Sequence, residues 1–103
     1  MLTDTGLMIT GANVESASYG LSCCAERVAL FKALTDGHRN FSALAVASPG
    51  GATPCGACRQ VIAEYAAAAE LFIIDSNCED SPPPTCIAKL LPDSFTGDDL
   101  PTD

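Results

Sequence analysis

Two short cysteine segments constrain this chain more than any other feature: Cys24-Ala25-Glu26 and Pro54-Cys55-Gly56-Ala57-Cys58. Thiolates gather tetrahedrally on a soft metal ion, so a fold that uses all three sulfurs must bring two distant segments to one point. Each segment also opens a stretch that reads as helix. From Cys24 to Leu34, apolar residues (Ala25, Val28, Ala29, Phe31, Ala33, Leu34) lie almost all round the helix, and Asp36-Gly37 is a stop signal. Such a helix is expected to be buried on more than one side. A second helix is expected from near Cys55 through Val61, Ile62 and Tyr65 to the alanine run that ends before Glu70. Both cysteine segments thus sit at helix N-termini. There the unpaired N–H groups and the positive end of the dipole lower a thiol pKa and favour bound anionic sulfur.

The rest of the pattern surrounds these helices with strands. Leu7-Met8-Ile9-Thr10 is a short apolar run behind a hairpin turn at Thr3-Asp4-Thr5-Gly6. Phe41 to Ala47 reads as a buried strand of mostly small residues, followed by a loop at Ser48-Pro49-Gly50-Gly51. Leu71 to Asp75 is continuous and apolar, as central strands of α/β sheets are. Ser81-Pro82-Pro83-Pro84 lacks ladder donors and is at best an edge, while Ile87 to Leu91 reads as one helical turn ended by Pro92. The order strand, helix, strand, helix, strand predicts a three-layer α/β domain, and 103 residues suit a single one.

Composition removes several function classes. Five Lys and Arg stand against thirteen Asp and Glu, a net charge of −8, and nucleic-acid binding draws its affinity from basic contacts to phosphates. A small molecule is the expected ligand, with no nucleic acid and no membrane as partner, because no apolar run approaches the 18 or so residues of a membrane span. Met1-Leu2-Thr3-Asp4 has no basic stretch of the secretory type, so the cytoplasm is the expected compartment. Six cysteines there are thiols or metal ligands rather than a disulfide framework.

A Cys-x-x-Cys pair alone fits either a redox couple or half of a structural zinc site. Glu26 sharpens the reading. A catalytic zinc keeps three protein ligands and a fourth position for water. A Cys-x-Glu followed by Pro-Cys-x-x-Cys is a thiolate version of the zinc-deaminase signature, in which the glutamate moves protons and does not bind metal.

Four motifs in order resemble the cytidine deaminases, in their small homotetrameric three-cysteine form: Gly11-Ala12-Asn13-Val14-Glu15-Ser16-Ala17-Ser18-Tyr19-Gly20-Leu21, Cys24-Ala25-Glu26-Arg27, Pro54-Cys55-Gly56-Ala57-Cys58-Arg59-Gln60, and Leu90-Leu91-Pro92-Asp93-Ser94-Phe95. The resemblance implies a three-layer α/β/α fold with a mixed sheet and zinc at two helix N-termini. It implies hydrolytic deamination of cytidine or deoxycytidine to uridine or deoxyuridine in pyrimidine salvage. It further implies that Cys24, Cys55 and Cys58 hold Zn²⁺ and that Glu26 is the proton shuttle. Asn13, Glu15, Ala25 and Phe95 become the substrate-binding positions, with Asn13 and Glu15 on the ribose and Phe95 closing a pocket shared between subunits. Arg27 is expected to donate to the zinc-bound thiolates, with Arg59 assisting, because three thiolates and one Zn²⁺ sum to −1 and a guanidinium draws that charge away. Members of the family open with a helix and a full strand ahead of the hairpin turn. Residues 1–103 are therefore expected to be one domain lacking that helix and most of that strand. A non-catalytic zinc-stabilised relative and a thiol redox protein using Cys55 and Cys58 are the alternatives.

The remaining residues have plainer expectations. Cys23, Cys78 and Cys86 are expected to be small buried hydrophobes, His38 a solvated loop residue, and Tyr19 and Phe72 packing residues. Glu79-Asp80 and Asp98-Asp99 are expected to be solvated surface.

Overall fold

The computed structural model describes residues 1–15, 17–18, 23–78 and 82–95; the expectations for Tyr19, Glu79-Asp80 and Asp98-Asp99 lie outside them. Its elements follow in the order β1 (Leu2–Thr3), α1 (Ala25–Thr35), β2 (Phe41–Ser48), α2 (Gly56–Tyr65), β3 (Glu70–Asp75) and α3 (Ile87–Leu90). β2 and β3 run parallel, in register from Ala43↔Glu70 to Ser48↔Asp75, and α2 is the crossover between them. β1 runs antiparallel to β2 through Leu2↔Ala43 and Thr3↔Phe41, which makes the sheet mixed. The order β1-β2-β3 puts β2 at the centre. Leu71–Asp75, read from sequence as central, instead borders the sheet among the described strands, and only an isolated antiparallel bridge, Leu71↔Thr85, lies beyond it. Only Leu71 of it is fully buried, and Phe72 to Asp75 are half-buried.

Local chemistry sets the ends of α1. Cys24 occupies the N-cap in extended conformation, and Gly37 takes φ +95° past the C-terminus. That left-handed residue lets Gly37 N–H donate to Leu34 O at 3.1 Å and His38 N–H to Ala33 O at 3.0 Å, a Schellman closure. α2 begins likewise on Cys55 as N-cap but stops at Tyr65, so the alanine run is not helical. Ala66 and Ala69 are buried there in the turn that feeds β3, with Ala69 N–H donating to Ala66 O at 3.1 Å.

Alternation along the strands decides which face the helices cover. Leu44 and Leu71 are paired in register and buried together with Ala29, Leu30 and Ala33 of α1, Ile62 of α2 and Ile87 of α3. Leu30, Leu44, Ile62 and Leu71 are the largest fully buried apolar side chains, each worth about 1.5–3 kcal/mol of transfer. Ala45 and Ala47 have the opposite parity and are exposed. α1 itself is buried at Glu26, Ala29, Leu30 and Ala33, while Phe31 on another side stays 41% exposed. Among the described residues the apolar helix is therefore covered mainly on one side.

The segment before α1 crosses the helix closely at Gly11. A Cβ there would lie 2.6 Å from Ala29 N and 2.7 Å from Ala25 O, both helix backbone atoms that cannot move aside. Gly11→Ala is expected to cost about 1–3 kcal/mol through overpacking. Urea unfolding measures it, and a variant as stable as the parent would show that this crossing does not constrain the fold.

Candidate active site

The two helix starts meet. Cys24 Sγ and Cys55 Sγ are 3.8 Å apart, Cys55 Sγ and Cys58 Sγ are 3.4 Å apart, and all three sulfurs lie within 4.8 Å of one another. Sulfurs bound tetrahedrally to one zinc at about 2.3 Å stand roughly 3.8 Å apart, so the cluster has the dimensions of a zinc ligand set. Cys55 is exposed, Cys24 half-buried and Cys58 fully buried. The sulfurs differ in acidity accordingly. Backbone N–H of Cys58 at the start of α2 holds the Cys55 thiol below its usual value, against a smaller opposing effect of burial. Burial pushes the Cys58 thiol far up, and hydrogen bonds with Cys55 and Cys24 and the charge of Glu26 push the same way. An acidic exposed thiol beside a buried reluctant one is also what a redox pair shows. The third sulfur, from a different helix, is what a redox pair does not need. A divalent cation stabilises all three as thiolates, so the donor set and its spacing fit zinc.

Cations of the chain itself complete the balance. Arg27 lies one turn into α1, and a hydrogen bond with Cys24, followed by the charges of Cys58 and Cys23, raises its pKa further above the ordinary guanidinium value. Arg59 does something else. Its Nε donates to Pro54 O at 2.7 Å, Nη1 to Leu90 O at 2.8 Å and Nη2 to Thr53 Oγ1 at 2.8 Å. The expectation that it assists at the thiolates is corrected: its fork is spent on the loop ahead of Cys55 and on the end of α3.

Glu26 is 8% exposed and stands at the second position of α1, within hydrogen-bond reach of Cys58. Ala25 and Glu26 line a largely apolar groove of about 440 Å³, which runs along the edge of β2 past Gly11, Ala45 and Ala47. The Asn13 segment is pinned beside it by the reciprocal pair Val14–Cys23, with N···O distances of 2.9 and 2.8 Å. Asn13 Oδ1 accepts from Ala25 N–H at 3.0 Å, which caps α1 in place of the cysteine side chain. Glu15 follows on the same segment, exposed. Phe95 is not brought to the groove of its own chain; it is 56% exposed, and its carbonyl accepts from Gln60 Nε2.

Three features escaped the sequence reading. The cap by Asn13 comes from far upstream of the helix it caps, so the usual local cap signal could not show it. The Arg59 anchors and the Gln60–Phe95 bond join segments remote in sequence, and no spacing rule predicts them. Cys78 proves exposed and Cys23 and Cys86 half-buried, not the buried hydrophobes expected. His38 is half-buried against the α1 C-terminus, as is Phe72 on β3.

Residues 1–74 match the family described as the cytidine and deoxycytidylate deaminase zinc-binding region. The cytidine deaminase of Sporosarcina psychrophila is 43% identical over 102 residues, covering 97% of this chain and 74% of that protein. That of Halalkalibacterium halodurans is 43% identical over 102 residues, with 97% and 76% covered. Among solved structures, cytidine deaminase from Burkholderia pseudomallei superposes with a TM-score of 0.85 at 44% identity, over 91% of this chain and 76% of that one.

Replacing Cys24, Cys55 or Cys58 singly by Ala is expected to remove zinc and lower the melting temperature together, since metal binding is folding free energy. Cys78→Ala, at an exposed position, should keep both. Zinc per chain by atomic emission, read beside a melting curve, checks this; loss of zinc from Cys78→Ala with retention in Cys24→Ala would reverse the ligand assignment.

Proposed function

This chain belongs to the cytidine and deoxycytidylate deaminase family, and on that premise we propose that it is a zinc-dependent hydrolase that converts cytidine or deoxycytidine and water to uridine or deoxyuridine and ammonia. The observation that carries the reading is the meeting of three sulfurs from two helix starts beside the buried Glu26. Cys24, Cys55 and Cys58 hold the metal. Zinc bound there would supply Lewis acidity that lowers the pKa of a water molecule to about 7.

The chain's own groups do the rest. Glu26 takes a proton from the attacking water and gives it to N3 of cytosine, which makes C4 electrophilic. The same carboxylate then takes the proton of the newly formed C4 hydroxyl and hands it to the amino group, so that ammonia leaves as the C4 carbonyl forms. Its burial beside an apolar groove keeps bulk water from competing for that proton. Arg27 draws charge from the sulfurs and so preserves the acidity of the metal. Asn13 presents its amide nitrogen and Glu15 its carboxylate to the ribose hydroxyls, from a segment that the Val14–Cys23 pair holds still. Ala25 packs on the base, and Phe95 closes a pocket from a neighbouring subunit. The net charge of −8 favours free nucleosides over nucleotides and polynucleotides.

On this reading residues 1–103 work as one domain of a cytoplasmic salvage enzyme. The exposed rings of Phe31 and Phe95 support assembly as a homotetramer, whose packing would cover both. Sedimentation over a hundredfold range of concentration should show a tetramer that dissociates on dilution, and an active monomer at micromolar concentration would remove the shared pocket.

Glu26→Gln keeps size and hydrogen bonding but cannot carry a proton. It should retain zinc and fold while uridine formation falls by about 10²–10⁴-fold. Near-normal turnover would take Glu26 out of the mechanism, and a parent protein that holds zinc without forming uridine would leave a zinc-stabilised relative as the reading.

A further inference from the structure

We propose that Arg59 and Gln60 are positioning residues for the deamination: neighbours on the first turns of α2, they fasten the segment Leu90–Phe95 to the loop that carries Cys55, so that the C-terminal aromatic and the metal ligands are held as one unit. This rests on the deaminase reading above. Three observations carry it. Arg59 grips both sides of the junction, with Pro54 O and Thr53 Oγ1 on the ligand loop at 2.7 and 2.8 Å and Leu90 O at the last position of α3 at 2.8 Å. Leu90 O is one of the carbonyls a short helix leaves without an internal partner, so the guanidinium fills a vacant acceptor. Gln60 independently takes the far end of the segment through Phe95 O.

Between these two anchors the chain turns at Asp93, whose φ of +55° makes it the one non-glycine residue with positive φ among those described. A left-handed aspartate persists where its surroundings hold it, and here both flanks are tied to the same helix. Phe95 is the outcome. Its carbonyl is fixed while its ring stays 56% exposed, so the ring is presented outward from a rigid base. A planar fork is what three acceptors in three directions require, and a lysine in its place offers a single point of contact.

The test uses the full chain loaded with zinc. Gln60→Ala and Phe95→Ala should each raise KM for cytidine about tenfold, the scale of one lost hydrogen bond or contact, with kcat and zinc content within twofold. The double variant should be no worse than Phe95→Ala alone, since both act through one ring. Gln60→Glu, which keeps length but loses the donor, should not rescue. Arg59→Lys should weaken zinc binding about 10–100-fold by loosening the Cys55 loop. It should also quicken tryptic cleavage after Lys89, a readout that needs no activity. Unchanged KM in Gln60→Ala, additive effects in the double variant, or unchanged zinc affinity and cleavage in Arg59→Lys would each overturn the proposal. Absence of turnover in the parent protein would instead sink the deaminase reading, and the zinc and cleavage measurements would still decide the latch.

Discussion

Sulfur anions do not share a site willingly, and the whole molecule is arranged to let three of them do so. Sγ atoms 3.4 and 3.8 Å apart repel strongly once ionised, more so with Cys58 out of contact with water. Positive charge converges on that point from two helix N-termini and the Arg27 guanidinium, and a metal held by the sulfurs would add to it. Each helix contributes its orphan N–H groups only if it starts on its cysteine, and both do, with Cys24 and Cys55 as N-caps. Because the cysteines supply no side-chain cap, a foreign group must, and Asn13 does this for α1. A single residue from another segment thereby helps to stabilise the metal-bearing helix.

What brings the helix starts together is the parallel pairing of β2 and β3. Parallel neighbours need a crossover, and α2 is that crossover, so its N-terminus falls at the C-terminal end of β2. Ligands of α/β sheets gather at this end for the same reason. The loop from Ser48 to Cys55 is then fixed by short polar contacts: Asp75 accepts from Gly50 and Asn77 N–H at 2.9 Å each, and Ser48 Oγ accepts from Ala52 N–H at 3.0 Å. Those two N–H groups hold the Asp75 carboxyl below its usual value, so this brace persists through neutral pH and weakens only in acid, as the carboxylate takes up a proton. Beneath it, Leu44 and Leu71 form the floor on which α1 and α2 rest.

The three cysteines that cluster and the two helices that carry them were legible because each is a local pattern. Cys-x-Glu, Pro-Cys-x-x-Cys, the apolar run from Ala25 to Leu34 and Asp36-Gly37 as a stop can all be read within a few turns of chain. The position of β3 in the sheet was not, since a continuous apolar strand looks the same at the centre of a sheet and at its border. The end of α2 was misread for a related reason: alanine has high helix propensity, yet Ala66 and Ala69 are recruited to a buried turn by packing. Arg59 is the clearest case. Its sequence neighbour Cys58 suggests a role at sulfur, and only the fold reveals Thr53, Pro54 and Leu90 around its fork.

The two arginines therefore divide the work that adjacency to cysteine would assign to both. Arg27 faces the sulfurs, and its effect is electrostatic: it depends on charge, and its hydrogen bond with Cys24 is the leading reason it holds its proton so firmly. Arg59 makes its bonds to two carbonyls and a hydroxyl, neutral acceptors, so its effect is mechanical and depends on the shape of the fork. A charge-preserving change separates the two roles. Lysine at position 27 would keep most of what the sulfurs need, whereas lysine at position 59 would keep the charge and lose the joint. The site thus rests on two kinds of precision: a charge balance set at the helix starts, and a geometry of the ligand loop set by the C-terminal segment that Arg59 ties to it.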